Sequence, residues 1–154
     1  MSLYFSVRNS HQIVNPAQQE LRDALRAKKT NEGLLLLMDR RLHVSARIQT
    51  TWIDNENLIV RYEDLIRDEQ AEFKKIISYC NIDMTDDALS AAVNRHSFEN
   101  RAGRKRGEED VNSHHRKGVS GDWQNYFDEK LIREFKKRYG NVLVQTGYEK
   151  DNNW

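Results

Sequence analysis

The chain has 154 residues, 38% of them apolar and 32% charged, and its 25 cations against 24 acids leave a net charge of +1. That length suits one domain or part of one with a small core, and the near-neutral balance supplies no global field to draw the chain onto nucleic acid or an anionic membrane, so any anion site is local. One cysteine, Cys80, excludes an internal disulfide framework and an all-cysteine zinc cage and fits a reducing cytoplasm; the most apolar run, Leu34 to Met38, is too short to span a bilayer, and the N-terminus lacks the sections of a signal peptide.

Asn15 followed by Pro16 reads as an N-cap and a first-turn proline, which predicts a helix over 16–28. Thr30 and Gly33 open a second helix, to about residue 52, in which Leu34, Leu37, Met38, Leu42, Ala46, Ile48 and Trp52 recur at mostly helical spacing; it should be central to the core. "DNEN" breaks that pattern, and "LIVRY" (58–62) is the one strongly β-like run before the C-terminal third. A lone strand leaves its backbone groups unpaired, so 58–62 predicts a homo-oligomer through that edge or a rearrangement that covers it. Leu65, Phe73, Ile76, Ile77 and Cys80 mark the next stretch as helical, and Thr85 with Asp86 and Asp87 opens another helix. Residues 99–122 carry Gly103, Gly107, Gly118 and Gly121 with many charges and almost no apolar residue, and read as a long loop. A last helix spans 128–139, stopped by Gly140-Asn141, with "VLV" (142–144) beyond it as a second short strand candidate. The class is mainly α with one or two short strands in a single partial domain, 1–154.

Arg116, Lys117 and Gly118 place two cations and a small residue in succession beside Ser120 and Gly121. Cationic donors supply charge-assisted hydrogen bonds and glycine admits a close phosphate, so the run reads as an anion-binding loop; a merely solvated basic loop is the alternative. "GRKRG" (103–107), followed by Glu108, Glu109 and Asp110, reads as solvated. Glu63 and Asp64 follow the β-like run at a junction where binding groups sit in α/β folds, but their residue types favour a helix cap. His114 and His115 are adjacent and cannot form the i, i+4 ligand pair of a zinc helix, and His11, His43 and His96 have no partner at ligand spacing, so no metal site is assigned. There is no G-x-x-x-x-G-K-[ST] loop, no G-x-S-x-G elbow and no Cys/His nucleophile pair, and no catalytic residue is assigned.

Three segments in order, "LIVRYEDLIRD" (58–68), "HSFENR" (96–101) and "RKGVSGDWQNYF" (116–127), resemble the sulfotransferases that use 3′-phosphoadenosine 5′-phosphosulfate (PAPS). The last is the most specific, since R-K-G-x-x-G-D-W-x-N-x-F is close to the C-terminal signature of that family. The resemblance implies that Arg116, Lys117 and Gly118 hold the cofactor's 3′-phosphate. It implies that Tyr62 contacts the adenine, that Phe98 stacks on it or lines its pocket with His96 and Ser97 beside it, and that Trp123 anchors the loop by packing. Ser2 would be the serine of the 3′-phosphate motif. For Phe98 a plain core role stays open. The family's glycine-rich phosphosulfate loop with its lysine, and its catalytic histidine, have no counterpart in the sequence and are expected upstream of Met1. The family's dimerisation motif would begin at Gln124, and Asp128, Glu129 and Arg133 do not match it.

The resemblance therefore implies the C-terminal helical portion of the P-loop-like α/β sulfotransferase fold, holding a partial site for PAPS or adenosine 3′,5′-bisphosphate. Full-length relatives transfer a sulfuryl group to a hydroxyl or amine acceptor, and this chain alone is expected to be inactive. The alternatives are a non-catalytic nucleotide-binding module and a helical interaction module. The expected partners are the nucleotide and an acceptor of unread identity, with no nucleic acid and no membrane.

Overall fold

A computed structural model describes residues 1–53, 55 and 57–154. The chain divides into two units, one formed by Met1–Asn57 with Asp122–Trp154 and the other by Leu58–Gly121. The mainly helical expectation holds in both.

In the first unit α1 (Ser2–Phe5) runs on through a π turn, Ser6–Ser10. Asn15 caps α2 (Pro16–Arg26), its Oδ1 accepting from the Gln18 N–H at 3.0 Å, as the Asn-Pro pair predicts. The long helix expected over 30–52 forms, but as α3 (Thr30–Leu37) and α4 (His43–Ile53) joined by a second π turn, Met38–Leu42. Tyr4, Phe5, Leu25, Leu34, Leu37 and Leu131 are among the residues that make the core. Gly33 lies inside α3 because Tyr4 packs on it: an added Cβ would stand 2.9 Å from Tyr4 Cε2.

The last helix, α9 (Glu129–Gln145), is capped by Asp128, whose Oδ1 accepts from the Leu131 N–H at 2.8 Å. It does not stop at Gly140-Asn141, and it takes in 142–144, so "VLV" is helix and not strand. Gly140 is there for space: a Cβ would meet Asn152 Oδ1 at 2.6 Å. The stop comes at Gly147 (φ +70), whose N–H reaches the Val144 carbonyl at 3.0 Å while that of Tyr148 reaches Leu143 at 2.8 Å, a Schellman termination. The Tyr139 hydroxyl crosses to the π turn and donates to the Met38 carbonyl at 2.7 Å in a buried setting.

In the second unit residues 58–61 are extended or irregular and Tyr62 already starts α5 (Tyr62–Arg67), so the strand expected at 58–62 does not form, and no β-ladder occurs among the described residues. The apolar run lacks the neighbour a ladder requires. The helix expected after it is broken at Asp68 (φ -150), which caps α6 (Glu69–Tyr79) by accepting from the Ala71 N–H at 2.9 Å. Thr85 caps α7 (Asp86–His96), and Lys74 Nζ ties α6 to it through Asp86 Oδ1 at 2.7 Å. Ser97 caps α8 (Phe98–Ala102), which ends at Gly103 (φ +66).

Tyr139→Phe leaves the Met38 carbonyl without this donor, and a loss of about 1–3 kcal/mol is expected in urea unfolding. Burial pushes the Tyr139 hydroxyl above its ordinary value near 10, so its contribution is complete below that pH and is lost as pH rises beyond it. The Phe variant should show a correspondingly smaller alkaline loss of stability.

Candidate anion-binding loop

The segment after α8 has almost no apolar side chain to bury, yet it is closed on itself by polar bonds. Arg104 is the clamp. Its Nη1 donates to the Ala102 carbonyl at 3.3 Å and its Nε to Glu108 at 3.0 Å. On the opposite limb its Nη2 reaches the carbonyls of Arg116, at 3.1 Å, and of His115. Two backbone bonds run alongside, from the Gly107 N–H to the Lys117 carbonyl at 2.8 Å and from Asp110 to Arg116 at 2.9 Å. Arg106 pairs with Glu69 of α6 and lies 3.9 Å from Glu99. The "GRKRG" run is therefore a fastening, and its solvated reading is corrected by these bonds.

Of the residues singled out in the sequence, Arg116, Lys117, Gly118, Phe98 and Ser97 come together here. The Arg116 side chain is 6% exposed and its Nη1 donates to Glu109 Oε1. Gly118 (φ +66) takes the Phe98 ring so closely that a Cβ would stand 2.6–2.9 Å from Cδ2, Cε2 and Cγ. The Arg104 guanidinium lies 5.5 Å from the centroid of the same ring. Ser97 spends its hydroxyl oxygen on the Asn100 N–H at 3.3 Å, a cap that its site role in the sequence did not anticipate. Lys117 is half-buried beside them.

Tyr62 is the first residue of α5 in the same unit and is 47% exposed. Ser2 belongs to the other unit, as the exposed first residue of α1. Trp123 is also there, in a 3-10 turn (Asp122–Asn125), where it packs edge-on against Phe127 at 5.8 Å and is 41% exposed. Glu63 and Asp64 sit in the first turn of α5, favourable to its positive end, while the cap position is Arg61; Asp64 pairs with Arg67 at 2.6 Å.

Sequence reasoning missed Arg104 and Glu109. The available signal was the opposition of charge within one loop, "GRKRG" and "RKG" enclosing "EED". Chemically, the loop offers a guanidinium already holding one oxyanion, a neighbouring ammonium, a glycine backbone without a Cβ and an aromatic ring. That donor set fits a phosphate on an aromatic base.

The sulfotransferase domain family matches residues 1–147. Sulfotransferase 6B1 of Danio rerio is 30% identical over 102 residues, which cover 61% of this chain and 33% of that protein. Flavonol 3-sulfotransferase of Flaveria bidentis is 30% identical over 106 residues, 58% of this chain and 34% of its own length. The chain thus spans about a third of the length of these curated relatives. No solved structure matches.

Gly118→Ala forces a left-handed backbone on a side chain that has no room beside Phe98, and a loss of about 1–3 kcal/mol is expected in urea unfolding. Amide exchange at Gly107 and Asp110 should quicken, because their acceptors are on the displaced limb.

Proposed function

The chain belongs to the sulfotransferase domain family, and from that premise we propose that its clamped loop and the start of α8 form the 3′-phosphate and adenine side of a nucleotide site. The nucleotide is PAPS or its product, adenosine 3′,5′-bisphosphate. Arg116 and Lys117 neutralise the 3′-phosphate, and Gly118, whose missing Cβ makes room for the Phe98 ring, keeps that ring beside them. Phe98 offers the adenine an aromatic face, and Ser97 and Tyr62 of the same unit complete the wall. The observation that carries this reading is the buried Arg116 guanidinium engaged by a carboxylate oxygen, a donor arrangement that a phosphate oxygen can use in the same way.

When bound, PAPS would supply the sulfuryl group that full-length relatives pass to a hydroxyl or amine acceptor. The residues of this loop bind and orient. A base for the acceptor and a cation for the developing charge are needed for rate, and no residue of this loop is assigned either task. The chain by itself is therefore proposed to bind nucleotide without transferring sulfuryl groups.

Calorimetric titration with adenosine 3′,5′-bisphosphate tests the reading. Binding is expected to weaken about tenfold or more in Arg116→Ala, since a hydrogen bond to a charged group is worth about 1.5–3 kcal/mol, and by about tenfold in Phe98→Ala through lost stacking. Adenosine 5′-monophosphate should bind less well than the bisphosphate. Equal binding of the two nucleotides, or no heat at millimolar bisphosphate, would overturn the assignment.

A further inference from the structure

Glu109 has no role of its own in the nucleotide reading. Its side chain is 30% exposed, against 6% for Arg116, and its Oε1 accepts from Arg116 Nη1. The loop's own pairing brings it there: the backbone bonds 107 to 117 and 110 to 116 flank it and hold the two limbs together. Its acidic neighbours are engaged locally. Glu108 Oε2 accepts from the Lys105 N–H at 3.2 Å, and Asp110 Oδ1 from the Asn112 N–H at 3.0 Å. Of the three consecutive acids, Glu109 is the one set on the guanidinium.

A carboxylate and a phosphate make the same demand on a guanidinium, an N–H donor aimed at a charged oxygen. Held on one fork they repel, and beside a guanidinium that is only 6% exposed that repulsion is less screened than in bulk water. On the nucleotide reading given above, we propose that Glu109 is a built-in competitor for Arg116. The 3′-phosphate of an adenosine bisphosphate binds by exchange for this carboxylate, which moves out along its exposed side into solvent. No covalent bond changes. When nucleotide is absent the carboxylate occupies the edge of the guanidinium that the phosphate would take. When nucleotide leaves, the carboxylate re-enters and speeds release. Affinity is therefore held below what the donors alone would give.

Glu109→Gln keeps shape and a hydrogen-bond acceptor but removes the competing charge. Calorimetry should show adenosine 3′,5′-bisphosphate bound about tenfold more tightly than by the unaltered chain, equivalent to about 1.4 kcal/mol. Adenosine 5′-monophosphate, without a 3′-phosphate, should bind equally to both. Glu108→Gln makes the same change in net charge one residue away and should alter bisphosphate affinity less than about twofold. Should the Gln variant fail to fold, as judged by circular dichroism, Glu109→Asp retains the charge with a shorter reach and should also tighten binding. Unchanged or weaker bisphosphate binding in the folded Glu109 variants, with the unaltered chain still binding, would overturn the competition and make Glu109 a residue that positions Arg116. Absence of binding in every form would overturn the nucleotide reading and this inference together.

Discussion

The fork of Arg104 across the carbonyls of Ala102, Glu108, His115 and Arg116 is the contact on which the candidate site depends. A loop with almost no apolar side chains has little core to organise it, and its backbone groups must find partners or face water. One guanidinium, with its five donors in a rigid plane, joins the two limbs at once. With the limbs joined, Arg116 can be buried, Glu109 can reach it, and Gly118 can lie against Phe98. A lysine at position 104 would give a point charge with no fixed fork, and the limbs would lose their common anchor.

The same device recurs in the first unit. Arg22 Nε donates to the Val7 carbonyl at 2.9 Å and Arg26 Nε to Arg8 at 3.0 Å, so α2 secures the π turn that follows α1 through two guanidinium groups. The second π turn is secured by the Tyr139 hydroxyl, with Arg138 pairing Asp39 beside it. In a chain with 38% apolar residues, charged and polar side chains hold irregular backbone where a richer core would otherwise press it into place. The aromatic side chains add a second thread: Phe127, just before α9, packs on Phe135 at 5.9 Å, and Phe135 on Tyr139 at 5.5 Å along that helix.

Much of this was legible in the sequence where a local rule and the tertiary setting agree. Asn15-Pro16, Thr85 and the helix over 30–52 are examples, because caps and apolar spacing act over a few residues. Gly140 misled because a glycine can serve chain termination or close packing, and only Asn152, brought back from the C-terminus, decides for packing. "LIVRY" misled because residue type gives strand preference while a strand needs a partner, and Tyr62 instead joins α5. In the site, "RKG" was legible as cationic donors, but Arg104 and Glu109 were not, since their roles depend on a pairing of limbs that no periodicity records.

The most direct test of the central claim, that the clamped loop and the start of α8 receive the 3′-phosphate and base of an adenosine bisphosphate, is an amide-resonance titration of the assigned chain with adenosine 3′,5′-bisphosphate. Saturable shifts concentrated at 97–98, 107–110 and 116–118 are expected. Shifts that do not saturate, or that leave these residues unmoved while others respond, would contradict it.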